Sequence, residues 1–128
     1  MYSRVEDITL QINIRQLSET ADKIIEAIEK SPKKFKKAVT FFDYYLPVTI
    51  KILKRYDEIE NQRLTSSDSK KFMEQSRNMI AEVEKAFKKQ LSGLYQSDIV
   101  DTDAEMKVLD MMLKSEGLDS NAIDLEDK

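Results

Sequence analysis

The stretch from Phe41 to Tyr56, Phe-Phe-Asp-Tyr-Tyr-Leu-Pro-Val-Thr-Ile-Lys-Ile-Leu-Lys-Arg-Tyr, constrains the fold more than any other part of the chain. It holds five of the ten aromatic residues and one of only two prolines. Phe35, Ala38, Phe42, Tyr45, Thr49, Ile52, Tyr56 and Ile59 recur at spacings of three and four, which is one face of a helix. Val39, Leu46 and Leu53 widen that stripe, and Phe41, Tyr44 and Val48 cover a second flank. A segment apolar around most of its circumference is buried on several sides, so the spacing predicts the central helix of a small bundle. Pro47 lies inside it. A mid-helix proline loses its own N–H bond and its ring clashes with the carbonyl four residues earlier, that of Asp43, so a kink is expected there. Asp43, an acid in the most apolar part of the chain, reads as a structural carboxylate bonded to a tyrosine hydroxyl or to the loosened backbone.

The remaining elements follow in order. Leu10, Ile14, Leu17, Ala21, Ile24 and Ile28 give a first helix from about Ser3 to Lys30, although Ile8, Leu10, Ile12 and Ile14 also alternate with strand period. Ser31-Pro32 reads as an N-cap followed by proline at the first helical position, which starts a second helix running through Pro47 to about Arg63. Ser66, Ser67 and Asp68 compete to cap a third, Ser69 to Leu94, in which Met73, Ile80, Phe87 and Leu94 recur every seven residues with Phe72, Met79 and Ala86 beside them and Val83 and Leu91 filling in. After a connector at Ser97 to Asp101, Thr102-Asp103-Ala104-Glu105 has the form of a capping box opening a short fourth helix. Gly117 followed by Leu118 has the form of a Schellman stop. The fold expected is all-α: an antiparallel, up-down-up bundle of three long helices, the second kinked at Pro47, plus a short C-terminal fourth helix. Residues 1–118 form one domain on this reading, and 119–128 an acidic, disordered tail.

Composition excludes several classes. At 128 residues with two glycines and 35% charged residues, the chain suits amphipathic helices rather than a turn-rich β fold. It has no cysteine or histidine, so thiolate and imidazole chemistry are excluded. No long apolar run is present, and a soluble chain is expected. Residues 1–97 carry 18 Lys plus Arg against 14 acids, and residues 98–128 carry 3 against 10. A mildly basic body thus precedes an acidic tail, and the body is not basic enough to indicate nucleic acid.

The block Phe42, Tyr44, Tyr45, Leu46, Pro47 and Thr49, with Tyr56 a helical step further on, resembles the XpaC family, whose pattern is an aromatic, one residue, Tyr-Tyr-Leu-Pro-x-Thr, a Leu-rich turn and a Tyr. A second similar block comprises Ala86-Phe87, Leu91, Leu94-Tyr95, Asp101 and Val108-Leu109, closing at Met112 to Leu118, so the resemblance spans roughly residues 10 to 118. The family name refers to 5-bromo-4-chloroindolyl phosphate hydrolysis, and the resemblance also implies partners in the toxic-anion (tellurite) resistance group. Relatives commonly carry an additional hydrophobic or glycine-rich N-terminal part. The resemblance therefore implies either a short member of the family or, preferably, its C-terminal helical domain, cytoplasmic, with any membrane association through that further part.

Ester hydrolysis needs an activated nucleophile or a metal-bound water, and two isolated glycines make no phosphate loop. Carboxylates remain, and Asp98, Asp101 and Asp103 are the weak catalytic candidates, with Asp43 a remote fourth. They fail as an EF-hand, because Met106 and Met112 stand where the glycine and the bidentate glutamate belong. Helix-capping acids are the preferred reading, with no metal and no cofactor expected. Lys33, Lys34, Lys36 and Lys37 around Phe35 could contact an anion or a lipid headgroup, though a solvated face explains them as well. Tyr44, Tyr45, Tyr56 and Tyr95 read as core residues with hydroxyls at the rim. The sequence thus favours a non-catalytic helical interaction module with a protein partner. A metal-assisted phosphohydrolase, or a factor needed for that hydrolysis, is the alternative, and a peripheral anionic-lipid binder the second; oligomeric state is open.

Overall fold

The computed structural model describes residues 6–120. The expected start of the first helix at Ser3 and most of the acidic tail lie outside them. The described residues are helical, with no strand among them, and they divide into two compact units, one ending at Leu94 and one beginning at Tyr95.

In the first unit, α1 spans Ile8–Lys30. The strand-like alternation at its start is not used: Leu10 and Ile14 are buried, while Ile8 and Ile12 are exposed. Burial continues through Leu17, Thr20, Ile24 and Ala27 at helical spacing. Asp7 is the N-cap, its Oδ1 accepting from the Leu10 N–H at 2.8 Å.

The expected continuous helix from Pro32 to Arg63 is replaced by three pieces. Pro32–Lys37 is a 3-10 helix, Phe41–Tyr45 a π-helical turn, and α2 covers Leu46–Asn61. Ser31 makes no side-chain cap; its N–H instead bonds the Ala27 carbonyl at 3.0 Å and ends α1. The π turn, closed by the Leu46 N–H on the Phe41 carbonyl, falls directly before Pro47. Physically this is the expected accommodation: a widened turn draws the preceding carbonyls away from the proline ring, and Pro47 then sits in the first turn of α2, where its missing N–H is tolerated. Asp43 is exposed rather than embedded.

Helix α3 runs Ser67–Leu94. Ser66 resolves the competition between caps, its Oγ accepting from the Ser69 N–H at 3.1 Å. The seven-residue pattern buries Ile80, Phe87 and Leu94, and Met73 packs partly buried against them. α1 and α2 both pack on α3, and Phe41 meets Phe87 edge-on at 4.8 Å. The core joins Leu10, Ile24, Phe41, Tyr56, Ile80 and Phe87 among others.

The second unit holds α4, Gln96–Ser115. It starts a turn and a half before the expected capping box, so Thr102 to Glu105 lie inside it and cap nothing. Nothing from Ser97 to Asp101 breaks a helix: Ser and Asp each cost only a few tenths of a kcal/mol there, and Asp98 falls in the first turn, where the helix dipole favours an acid. The Schellman stop is present. Leu118 N–H bonds the Leu113 carbonyl at 2.8 Å, Gly117 N–H bonds that of Lys114 at 3.2 Å, and Gly117 has φ 70°.

Candidate functional site

The π turn sorts neighbouring aromatic residues onto different surfaces. Phe41 is fully buried, whereas Tyr44 and Tyr45 are 60% and 50% exposed. The two tyrosine rings meet edge-on at 6.0 Å. Thr49 Oγ1 donates to the Tyr45 carbonyl at 2.6 Å, tying the turn to α2.

Tyr44, Tyr45, Val48, Thr49 and Ile52 form one wall of a groove of about 570 Å³, and Phe41 belongs to the same lining. The other wall is α3: Met79, Glu82, Val83, Ala86, Phe87 and Gln90. A shallower hollow of about 440 Å³ shares Ile52, Met79 and Glu82 and continues to Phe72. Gln90 closes the far end by donating from Nε2 to the Lys37 carbonyl at 3.0 Å. Glu82 is the one ionisable acid lining either hollow, so the surface offers apolar area rather than convergent polar groups.

The family-like block therefore splits. Tyr44, Tyr45 and Thr49 line the groove. Phe42 stacks on Phe35 at 5.7 Å and packs with Leu46 against the core. Pro47 is exposed at the start of α2. Tyr56 is buried, its hydroxyl accepting from Arg77 Nη1 at 3.2 Å.

Asp98, Asp101 and Asp103 are all exposed on α4, in the second unit. Asp103 pairs with Lys107 at 3.1 Å, one turn along the same helix. Asp101 and Asp103 are two residues apart, so the helix sends them to different sides. Among the described residues no three acids, histidines or cysteines are placed to hold a metal ion. Lys33, Lys36 and Lys37 are exposed on the 3-10 helix and Lys34 is half-buried.

A separate electrostatic cluster lies where α1 begins and α2 ends. Burial pushes the Glu60 carboxyl above the usual range, a bond from the Glu6 N–H opposes it, and the charges of Glu6, Asp57 and Asp7 push the same way as burial. The Tyr56 hydrogen bond is the main cause holding the Arg77 guanidinium above its ordinary value. Sequence reasoning did not single out Arg77 or Asp7, since a hydrogen bond between helices leaves no local spacing. The α3 wall was visible in the heptad-like pattern, through Phe87 on the stripe with Val83 filling in and Met79 and Ala86 beside it.

The described residues thus define an all-helical protein with an apolar groove beside a π turn. The family model described as 5-bromo-4-chloroindolyl phosphate hydrolysis protein matches residues 1–109, which takes in the whole first unit and α4 as far as Leu109. The chain belongs to this family. No curated protein and no solved structure matches it. Among the described residues no helix is long and apolar enough to cross a membrane.

Proposed function

We propose that this chain is a non-catalytic helical interaction module that seats an amphipathic helix of a protein partner in the groove between Tyr45 and Phe87. The observation that carries this reading is the exposure of Tyr44, Tyr45 and Met79 around an apolar floor. Half-exposed tyrosines beside apolar pockets are the residues that protein interfaces concentrate, and two helices flanking a groove suit a third. On this reading the helices run antiparallel, up-down-up, an arrangement supported by the Phe41–Phe87 and Tyr56–Arg77 contacts. A partner of the toxic-anion resistance group fits this role.

The family description favours a second reading, hydrolysis of an indolyl phosphate. Its candidates Asp98, Asp101 and Asp103 are solvent-exposed on a regular helix. The deciding experiment is hydrolysis of 5-bromo-4-chloroindolyl phosphate by the purified chain, with and without Mg²⁺, Mn²⁺ and Zn²⁺. An Asp101→Asn, Asp103→Asn double variant serves as the control. The module reading predicts no turnover above the control. Metal-dependent turnover lost in the double variant would replace it with the hydrolase.

A further inference from the structure

The positive charge of the basic body gathers in one run. Residues 30–42, Lys-Ser-Pro-Lys-Lys-Phe-Lys-Lys-Ala-Val-Thr-Phe-Phe, hold five of the 18 Lys and Arg of residues 1–97 and none of the 14 acids. The other 13 basic residues are matched by those 14 acids, so the whole excess comes from this run. Lys30 ends α1 and is paired with Glu26 at 3.0 Å. The other four lysines lie on the 3-10 helix Pro32–Lys37, which contains no acid.

The form of that helix decides what the lysines do together. With three residues per turn, side chains at i and i+3 eclipse. Lys33 and Lys36 therefore make one row, Lys34 and Lys37 a second, and Pro32, Phe35 and Ala38 a third between them. An α-helix would have turned Lys33 and Lys37 almost directly away from Phe35. Ala38 is fully buried and Phe35 stacks on Phe42, yet Phe35 remains 45% exposed and Val39 40%. Pro32 is exposed as well. The Gln90 side chain, bonded to the Lys37 carbonyl, fixes the end of this ridge to α3.

That combination selects a partner. Lysines alone would suit any polyanion, but would leave Pro32, Phe35 and Val39 in water for no gain. A site that reads one phosphate favours the planar fork of arginine, and residues 30–42 contain none. An anionic bilayer surface answers both halves: headgroup charge meets ammonium groups on flexible stems, and the acyl boundary takes an aromatic ring. We infer that this ridge is a peripheral contact for an anionic lipid bilayer. Phe35 enters the headgroup layer, and the exposed pair Lys33 and Lys36 meets lipid phosphates and carboxylates. The contact goes beyond the groove reading and does not depend on it.

Co-sedimentation of the full chain with vesicles of phosphatidylcholine and phosphatidylserine, about 70:30, against phosphatidylcholine alone tests it. The chain has no tryptophan, so Phe35→Trp places a single indole at the contact. That variant and a Lys33→Glu, Lys36→Glu double variant are first shown to keep their helical circular dichroism. Binding is expected to the mixed vesicles only, lost at high salt and weakened about tenfold or more by the double reversal. The indole emission should shift to the blue on the mixed vesicles. No binding to them overturns the proposal, as does equal binding to phosphatidylcholine alone or binding that the double variant keeps. Binding with no blue shift overturns it too, because the ridge is then outside the bilayer. Heparin is the soluble polyanion control: if it binds and the vesicles do not, the lysines serve a polyanion and the lipid contact falls. The phosphate-ester assay reads other residues, so either result can fail alone.

Discussion

Arg77 on α3 donates from Nη1 to the hydroxyl of Tyr56 on α2 at 3.2 Å, and its Nε lies 4.0 Å from Oδ2 of Asp7, the residue that caps α1. One guanidinium therefore touches all three long helices of the first unit. Its two contacts differ in weight. Tyr56 is 1% exposed, whereas the Asp7 and Arg77 side chains are each more than a third exposed, so solvent screens their ion pair.

That difference orders a set of variants. Tyr56→Phe removes hydroxyl and bond together and should cost about 1 kcal/mol. Arg77→Met leaves the buried hydroxyl without its donor and should cost more, about 1–3 kcal/mol. Asp7→Asn keeps the capping oxygen and should cost less than either. Urea denaturation of the three variants measures the order, and an Asp7→Asn cost above that of Arg77→Met would place the weight on the ion pair instead.

Arg63 has φ 51°, just beyond the end of α2. The left-handed region costs a non-glycine residue about 1 kcal/mol or more, and glycine nothing. Arg63→Gly gives up an exposed pair with Glu6 at 3.7 Å and adds unfolded-chain entropy, which offsets part of the backbone gain. Thermal denaturation should show the variant more stable, by up to about 1 kcal/mol. A lower melting temperature would mean that the exposed pair outweighs the backbone.

Glu60 gives the pH dependence its sign. Its native carboxyl sits above the ordinary value, so between the two the native state holds more protons than the unfolded chain. Stability therefore falls as pH rises through that window. Glu60→Gln removes the charge that burial disfavours and keeps an oxygen for the Glu6 N–H, now at 3.4 Å. The variant should be more stable than the parent at about pH 7, by less than about 1 kcal/mol given partial exposure, and equal to it near pH 4. Urea midpoints at the two pH values check this; an equal gain at both would rule out titration as the cause.

Much of this fold is legible in the sequence because burial follows spacing. Leu10, Ile14, Leu17 and Ile24 on α1, and Ile80, Phe87 and Leu94 on α3, are buried where a helical stripe puts them. Gly117-Leu118 stops α4 as glycine and an apolar neighbour should. Local chemistry misled where a residue had two uses. Thr102 and Glu105 have the chemistry of a capping box, but a cap forms only where the helix already ends, and nothing before Thr102 ends it. Pro47 reads in the sequence as a kink inside one helix, and the structure places it in the first turn of α2 after a π turn. The π turn over Phe41–Tyr45 also carries Phe41 against Phe87, a contact 46 positions along the chain that no local spacing announces. The groove was legible as residues and not as a place: Tyr44, Tyr45 and Thr49, and Met79, Ala86 and Phe87 of the heptad-like third helix, all stood out in the sequence, but nothing in their spacing says that the two sets face one another.

The last prediction separates the two halves of the family-like block. Leu46 packs against the core, and Leu46→Ala should cost about 2 kcal/mol or more. Tyr44 and Tyr45 are half-exposed, so Tyr44→Ala and Tyr45→Ala should each change stability by less than about 1 kcal/mol, most of it from their mutual edge contact. Guanidinium denaturation of the three variants decides between two origins of one motif. Small costs for the tyrosines leave them available for a surface role that stability does not require. If they cost as much as Leu46, the whole block from Phe42 to Thr49 is there to hold the π turn, and the groove is a by-product of that packing.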